Sequence, residues 1–318
     1  MLRRYFFLIF ISLLVLSGCA RHHATSSSIP PIAQFKVETR SMPAFSRVNV
    51  QGAVNVSLHT GYKHSSVILR GDSRDLLQTI TEIKNGILFV RVNKGAPKYG
   101  SIGIDIRGQF LNSFTYTGVG TIVGNNLHSS LLDLSIDNPE QTTLGGSIVL
   151  RKLEAKGGGS VVVKGVYSRY LQLEMTQHTQ VLLAGVINAN KLDLKGDGSL
   201  TMFWVKSPML TICARGKSSI QLAGVADKLD LELWGSARFK GRFLRVKNLF
   251  VKTHDRAIAE VTAIKHQHAL ATDASDIYFY KIPETKADFM AFQGSVLDMR
   301  DLSLPYVEEY DRYNKEVP

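Results

Sequence analysis

Cysteine is scarce in this chain, and its scarcity excludes several classes of protein. The 318 residues include only two cysteines, too few for a disulfide-rich scaffold or a cysteine-based zinc module. Proline is rare as well, with nine residues, which excludes collagen-like and proline-rich architectures. Charged residues make up 20% and hydrophobic residues 44% of the chain, a balance that excludes a disordered protein. What remains is a large, foldable chain with a formal net charge of +11.

Known catalytic and cofactor motifs are also missing. The sequence contains no nucleophile elbow, P-loop, Rossmann fingerprint or zinc-ligand spacing. His22 and His23 are adjacent in an irregular polar stretch, which is a weak metal signal. Lysine and arginine are interspersed with acidic residues, which argues against a nucleic-acid partner. We therefore expect no enzyme activity, no cofactor, no metal site and no nucleic-acid binding.

The longest apolar run lies at the N-terminus and predicts a targeting signal. Arg3 and Arg4 precede the apolar residues 5–16, which would be about 18 Å long as a helix. A helix of that length is too short for a hydrocarbon core of roughly 30 Å. The pattern is therefore typical of a signal peptide, which we place at residues 1–18.

The end of this run resembles a bacterial lipobox. Leu16-Ser17-Gly18-Cys19 places small residues before a cysteine. The resemblance implies that Cys19 becomes the lipidated first residue and anchors the protein in a membrane. It also implies outer-membrane sorting, facing the periplasm or the cell surface, because Ala20 is not the aspartate that retains such proteins in the inner membrane. Residues 19–44 lack an apolar period and are predicted to form a flexible tether.

Residues 45–110 form a predicted strand-rich segment with one short helix. Apolar residues alternate on both sides of Gly52, which predicts two strands joined at a bend. The polar run 72–75 would cap a helix from Leu76 to Ile83. Asn85-Gly86 then predicts a β-hairpin.

Residues 111–300 repeat with a period of about 20 residues. The aligned positions are Leu111, Leu132, Leu153, Leu171, Leu192, Leu210, Leu229, Leu249, His268 and Phe289. One such unit is too small to bury its own core, so the period predicts an all-β, parallel β-helix or solenoid with stacked coils. Parallel crossovers favour a right-handed winding. Two- and three-sided coils both fit, and a β-propeller is the alternative fold. The polar residues 301–318 either cap the last coil or form a flexible tail.

The alignment also predicts which outward side chains are neighbours. Lys156, Glu174 and Lys195 fall on successive rungs, and their alternating charge would favour the correct register. Aligning residue 258 with residue 220 gives Glu260 an inward position. That conflict indicates either a slip in register or an opening of the solenoid near its end.

Three carboxylates carry one functional alternative. Asp193 and Asp230 align in one column, two rungs or about 9.6 Å apart, and Asp197 lies in the turn after Asp193. Clustered carboxylates of this kind serve in glycoside hydrolysis. A solvated ladder of charges is the simpler interpretation.

Aromatic residues recur after residue 200 and suggest a binding patch. The candidate residues are Trp204, Trp234, Tyr278 and Tyr280. Exposed aromatic rings can stack on sugars or anchor a protein partner. Phe203 and Phe239 recur with them but suit the core equally well.

Residues 45–245 resemble the DUF2807 family, also described as the GIN domain or autotransporter-adhesin head domain. The matching segments are residues 45–56, 67–72, Asn85-Gly86-Ile87-Leu88, Gly157-Gly158-Gly159-Ser160 and Gly196-Asp197-Gly198-Ser199. The resemblance implies a β-helical domain of a bacterial surface or periplasmic protein, and it brings no catalytic residues. This chain departs from the pattern by continuing the repeat to about residue 300.

Three functions are therefore expected, in this order. The first is a non-enzymatic, outer-membrane-anchored lipoprotein whose solenoid presents a binding or adhesion surface to a glycan or to an envelope or host protein. The second is a periplasmic structural or envelope-assembly protein that binds protein partners. The third is a carbohydrate-active β-helix enzyme.

Overall fold

The computed structural model describes residues 34–281 and 285–299. The predicted signal peptide, Cys19 and the tail over residues 301–318 lie outside these residues, as does the tether up to residue 33. Among the described residues, no helix has both the length and the apolar character needed to cross a membrane.

Nineteen strands of the described residues form one continuous sheet. They are β1 (Phe35–Ser41), β2 (Arg47–Gln51), β3 (Asn55–His59), β4 (Ser66–Asp72), β5 (Thr79–Lys84), β6 (Ile87–Val92), β7 (Gly103–Arg107), β8 (Ser113–Thr117), β9 (Ile122–Asp137), β10 (Thr142–Lys156), β11 (Ser160–Met175), β12 (Gln180–Gly196), β13 (Ser199–Gly216), β14 (Ser219–Leu233), β15 (Arg238–Thr253), β16 (Ile258–Thr272), β17 (Asp276–Lys281), β18 (Lys286–Phe292) and β19 (Ser295–Asp298). From β8 to β17, each strand pairs in parallel with the next along the chain. This order is a β-solenoid, which confirms the predicted fold.

Each long strand bends at two corners, so a coil has three sides. Between β12 and β13 the register shifts once after Ala184 and again after Ile187. The pairs β10–β11 and β15–β16 show two shifts as well. In β12 the buried side chains fall into three pairs, namely Val181 and Leu183, Ile187 and Ala189, and Leu192 and Leu194. We call the three sides the first, second and third face, represented in β12 by residues 180–184, 186–190 and 191–195.

The rungs follow a more regular period than the sequence alignment suggested. One inward column of the third face contains Leu134, Leu153, Leu173, Leu192, Ile212, Leu231, Val251, Ala269 and Phe289. The predicted alignment of Leu132 with Leu153 is therefore wrong by two residues. A shift of two keeps the same side chains inward, so alternation along the strand cannot reveal the error.

Glu260 marks a slip of register and not an opening of the coil. Ala259 lies in register with Phe239, and Ala259 and Val261 are the buried residues of this segment. Glu260 therefore points outward and is half-buried. The predicted alignment of residues 258 and 220 is off by one.

Two predictions for the N-terminal segment are wrong. Helix α1 covers only Ser73–Leu76, capped by the Asp72 carboxylate, and β5 follows where the helix was predicted to continue to Ile83. The Asn85-Gly86 turn pairs β5 with β6 in an antiparallel hairpin, and those cross-strand bonds outweigh the helical pattern of residues 76–83. The predicted tether also ends too late, because β1 lies within it and pairs antiparallel with β4.

In four strands, β10, β11, β12 and β14, a glycine lies at the corner between the first and second faces. Gly146 has a φ of +133°, and a Cβ there would lie 2.1 Å from the carbonyl oxygen of Leu127 on the preceding coil. Gly165, Gly185 and Gly224 meet the preceding coil in the same way. A side chain at these positions would therefore push neighbouring coils apart.

The adjacent pair Gly145 and Gly146 tests this requirement. Gly146→Ala should lower the free energy of unfolding by at least about 1–3 kcal/mol, because alanine is strained at that φ and meets a carbonyl. In Gly145→Ala the new Cβ would lie 3.4 Å from the nearest atom, the Asn125 carbonyl oxygen, so we expect a change within about 0.5 kcal/mol. Urea unfolding of both variants is the measurement. Equal losses of stability would contradict the close-approach explanation.

Candidate functional site

An open groove runs along the outside of the second face. Its volume is about 790 Å³, and outward side chains from six successive strands, β11 to β16, line it. Tyr167 and Val186 are in register at one end, and Val225 and Ile264 lie further along. These side chains are half-buried or exposed although they are apolar or aromatic. The groove therefore offers an apolar surface to a ligand.

Cationic side chains accompany the apolar ones. Arg169, Lys206, Arg245 and Lys247 line the groove with a single carboxylate, Asp227. The Nζ of Lys247 lies 2.6 Å from Oδ1 of Asp227. Within residues 34–281 and 285–299, Arg169 and Lys206 have no ion-pair partner. The groove therefore has a net positive charge.

The register between coils places two of these cationic side chains in one column. Lys206 pairs with Val225, and Val225 pairs with Arg245. Lys206 and Arg245 are therefore in one column, two rungs or roughly 10 Å apart. A linear ligand that crosses the coils would meet positive charge and apolar surface in alternation.

The core behind the groove is closed. Ile187, Val205 and Leu244 point inward behind the groove and are at most 1% exposed. The hydroxyl of Ser168 donates a hydrogen bond to the carbonyl oxygen of Leu150 at 2.6 Å. The hydroxyl of Ser207 accepts one from the Ala189 amide at 2.9 Å. A ligand must therefore lie on the outer surface of the groove.

The groove was not predicted from the sequence, although the sequence contains a signal for it. Tyr167, Lys206 and Arg245 are spaced by 39 residues, and so are Arg169, Pro208 and Lys247. Thirty-nine residues correspond to two coils, so each set recurs on every second rung, with a basic side chain at two of its three positions.

The structure does not bring the four predicted aromatic residues together. Trp204 is half-buried at the first corner, in a left-handed conformation with φ of 58°. Trp234 is exposed at the opposite end of the coil, after the third face. Tyr278 and Tyr280 point outward from the first face in β17. Of the two related phenylalanines, Phe239 is buried in the core and Phe203 is half-buried.

Two of these aromatic residues have well-defined neighbours. The Trp234 ring stacks on His254 of the next coil, with centroids 3.8 Å apart, and its Nε1 donates a hydrogen bond to Glu232 at 3.1 Å. The Arg242 guanidinium lies 4.6 Å from the centroid of the Tyr280 ring. Burial raises the pKa of Tyr280. Binding by the four aromatic residues stays a prediction.

The predicted alternation of Lys156, Glu174 and Lys195 on successive rungs is wrong. Glu154, Glu174 and Asp193 lie in register on three successive rungs. The Nζ of Lys195 lies 3.8 Å from Oε1 of Glu174 and 3.5 Å from Oδ2 of Asp193. A hydrogen bond from Lys152 is the main cause of the lowered pKa of Glu154. Lysine side chains from neighbouring columns thus compensate the negative charges of this acidic column.

The three carboxylates proposed as catalytic do not form a group. Asp193 is in register with Cys213, whereas Asp230 is in register with Thr211, so the predicted common column is wrong. Asp197 lies in the turn and forms an ion pair with His178. Across the part of the chain that the structure describes, no group of three or more His, Cys, Asp or Glu side chains is placed to hold a metal ion.

The family DUF2807, "Putative auto-transporter adhesin, head GIN domain", matches residues 44–221 and 149–283. This chain belongs to that family. No curated protein matches the chain.

Several solved structures align with most of this chain at low sequence identity. A "putative adhesin" from Parabacteroides distasonis has a TM-score of 0.47 and 17% identity, and one from Parabacteroides merdae has 0.43 and 13%. A "Putative lipid binding protein" from P. distasonis has a TM-score of 0.43 and 12% identity. Each alignment covers 84% of this chain and 97% of the other. Likeness at this level says nothing about the ligand of this protein.

The stacking of Trp234 on His254 can be tested by fluorescence. The chain has two tryptophans, so Trp204→Phe leaves Trp234 as the only one. In that background, His254→Ala should shift the emission to longer wavelength, because it removes the ring that covers the indole. His268→Ala is the control, since His268 stacks on Phe250 instead. A shift of equal size in both variants, or in neither, would contradict the stacked geometry.

Proposed function

We propose that this protein is a non-enzymatic outer-membrane lipoprotein whose β-solenoid presents a surface for binding or adhesion. The supporting observation is the groove of the second face, where six successive strands place cationic and apolar side chains side by side. The description of its family as an adhesin head domain agrees with this proposal.

Anchoring through Cys19 is the second part of the proposal. Cys19 follows the apolar run and two small residues, as in a lipobox. Several acyl chains on one cysteine hold a protein on a membrane far longer than one chain does, since each buried methylene contributes roughly 0.8 kcal/mol. The described residues begin at Gln34, 15 residues after Cys19.

Replacement of Cys19 tests the anchor. Cys19→Ala should move the protein from the membrane fraction to the soluble fraction and abolish labelling by radioactive palmitate. Cys213→Ser is the control, because Cys213 is the other cysteine and lies within the solenoid. Continued membrane association and labelling of Cys19→Ala would disprove lipidation at this residue.

Surface presentation requires a separate test. Protease added to intact cells should cleave the solenoid, detected by an immunoblot against its C-terminal coils, while a periplasmic control protein stays intact. Protection until the outer membrane is permeabilised would place the solenoid in the periplasm and exclude adhesion to other cells.

A second candidate, periplasmic envelope assembly through a protein partner, is favoured by one observation. At the end of the described solenoid, Phe289, Met290 and Phe292 on β18 and Leu297 on β19 are exposed. An apolar sheet edge of this kind can accept a β-strand from a partner. A photo-crosslinking amino acid at position 290 should then give a defined adduct in the periplasm, and the same group at Tyr170 should give none. The absence of an adduct at position 290 would exclude this candidate.

A further inference from the structure

We infer that the groove of the second face binds an acidic oligosaccharide, whose carboxylate or phosphate groups contact the cationic side chains. This inference rests on the proposal that the solenoid is a binding module. It adds the place of binding and the chemical class of the ligand.

The charge pattern favours a linear polyanion. Lys206 and Arg245 lie in one column two rungs apart, with Val225 between them. Arg169 adds positive charge toward one end of the groove, whereas Lys247, nearer the other end, is paired with Asp227. A ligand with one negative charge would use a single rung, whereas a chain with repeated charges meets several cations at once.

The apolar side chains favour sugar rings as the neutral part of the ligand. Tyr167 is 48% exposed and projects into the groove. The C–H face of a sugar can stack on such a ring without an enclosed pocket. Val186 and Val225 extend this apolar strip along the coils.

Insertion of acyl chains is disfavoured by the packing beneath the groove. The inward residues Ile187, Val205 and Leu244 are almost fully buried against the core. The groove itself is open to solvent, so a lipid tail that lay in it would remain in contact with water. A ligand that is polar along its whole length suits this surface better.

Oligogalacturonate and its methyl ester are matched probes, since the ester retains the rings and removes the charges. Binding would be measured by interferometry on the full-length lipidated protein in nanodiscs of neutral lipid. We expect oligogalacturonate to bind at least about tenfold more tightly than the ester, and added salt to weaken it. Equal affinity for both probes would overturn the charge argument.

Two pairs of variants locate the site. Lys206→Gln should weaken binding about threefold to tenfold, whereas Lys164→Gln, an exposed lysine outside the groove, should have no effect. Tyr167→Ala should weaken binding to a similar degree. Tyr170→Ala is its control, because Tyr170 is equally exposed but does not line the groove. Binding that none of these substitutions changes would overturn the assignment of the groove.

Further probes distinguish the source of the negative charge and the class of ligand. A phosphorylated mannose oligosaccharide that binds more tightly than oligogalacturonate, with the same dependence on Lys206 and Tyr167, would assign phosphate as the preferred group. Vesicles with anionic phosphatidylglycerol that bind through Lys206, while both oligosaccharides fail, would replace the inference with a membrane surface.

Failure of this inference is distinguishable from failure of the proposed function. Adhesion of cells that display the protein, compared with cells that lack it, reports on the proposed function. Adhesion that persists in Lys206→Gln and Tyr167→Ala, without binding of either acidic oligosaccharide, overturns the groove and leaves the proposed function standing. If the unaltered protein is not displayed on the surface and does not increase adhesion, the proposed function itself is overturned.

Discussion

Parallel hydrogen bonding between successive coils is the constraint on which the rest of this structure depends. It sets neighbouring backbones about 4.8 Å apart, so at the first corner of several coils a carbonyl of the preceding coil lies where a Cβ would be. Glycine at positions such as Gly146 and Gly185 is the consequence. Because the register repeats from coil to coil, side chains of like position form columns on the outside, and the surface chemistry of the protein is the chemistry of these columns.

The outward columns differ in whether neighbouring side chains compensate their charges. On the third face, Glu154, Glu174 and Asp193 are stacked with like charge, and lysines compensate them from the side. In the groove of the second face, Arg169 and Lys206 have no such compensation among the described residues. A charge that already has a partner contributes little to a new ligand, whereas an uncompensated one attracts a counter-ion. This contrast is why the groove and not the acidic column is the better candidate for binding.

The sequence predicts the solenoid well because the period near 20 and the inward alternation are strong signals. It predicts less well which residues of successive coils lie in register. An error of two residues, as for Leu132 and Leu153, leaves the same side chains inward, and only the backbone bonds between coils reveal it. Errors of the same size at two other steps, Leu153 with Leu171 and Leu192 with Leu210, produced the false alternation of charge and the false column of Asp193 and Asp230. The groove was missed because outward neighbours depend on register, although Lys206 and Arg245 lie 39 residues, or two coils, apart.

Hydroxyl-radical footprinting with oligogalacturonate tests the central claim most directly, because it reports the exposure of individual side chains. The account predicts protection of Tyr167, Pro208 and Val225, which come from three different coils but line one groove. Tyr170 and Met209, which are exposed but do not line the groove, should react as in the free protein. Protection confined to Trp234 or to Tyr278 and Tyr280, with the groove unchanged, would contradict the account. The binding site would then lie at the aromatic residues that were predicted from the sequence.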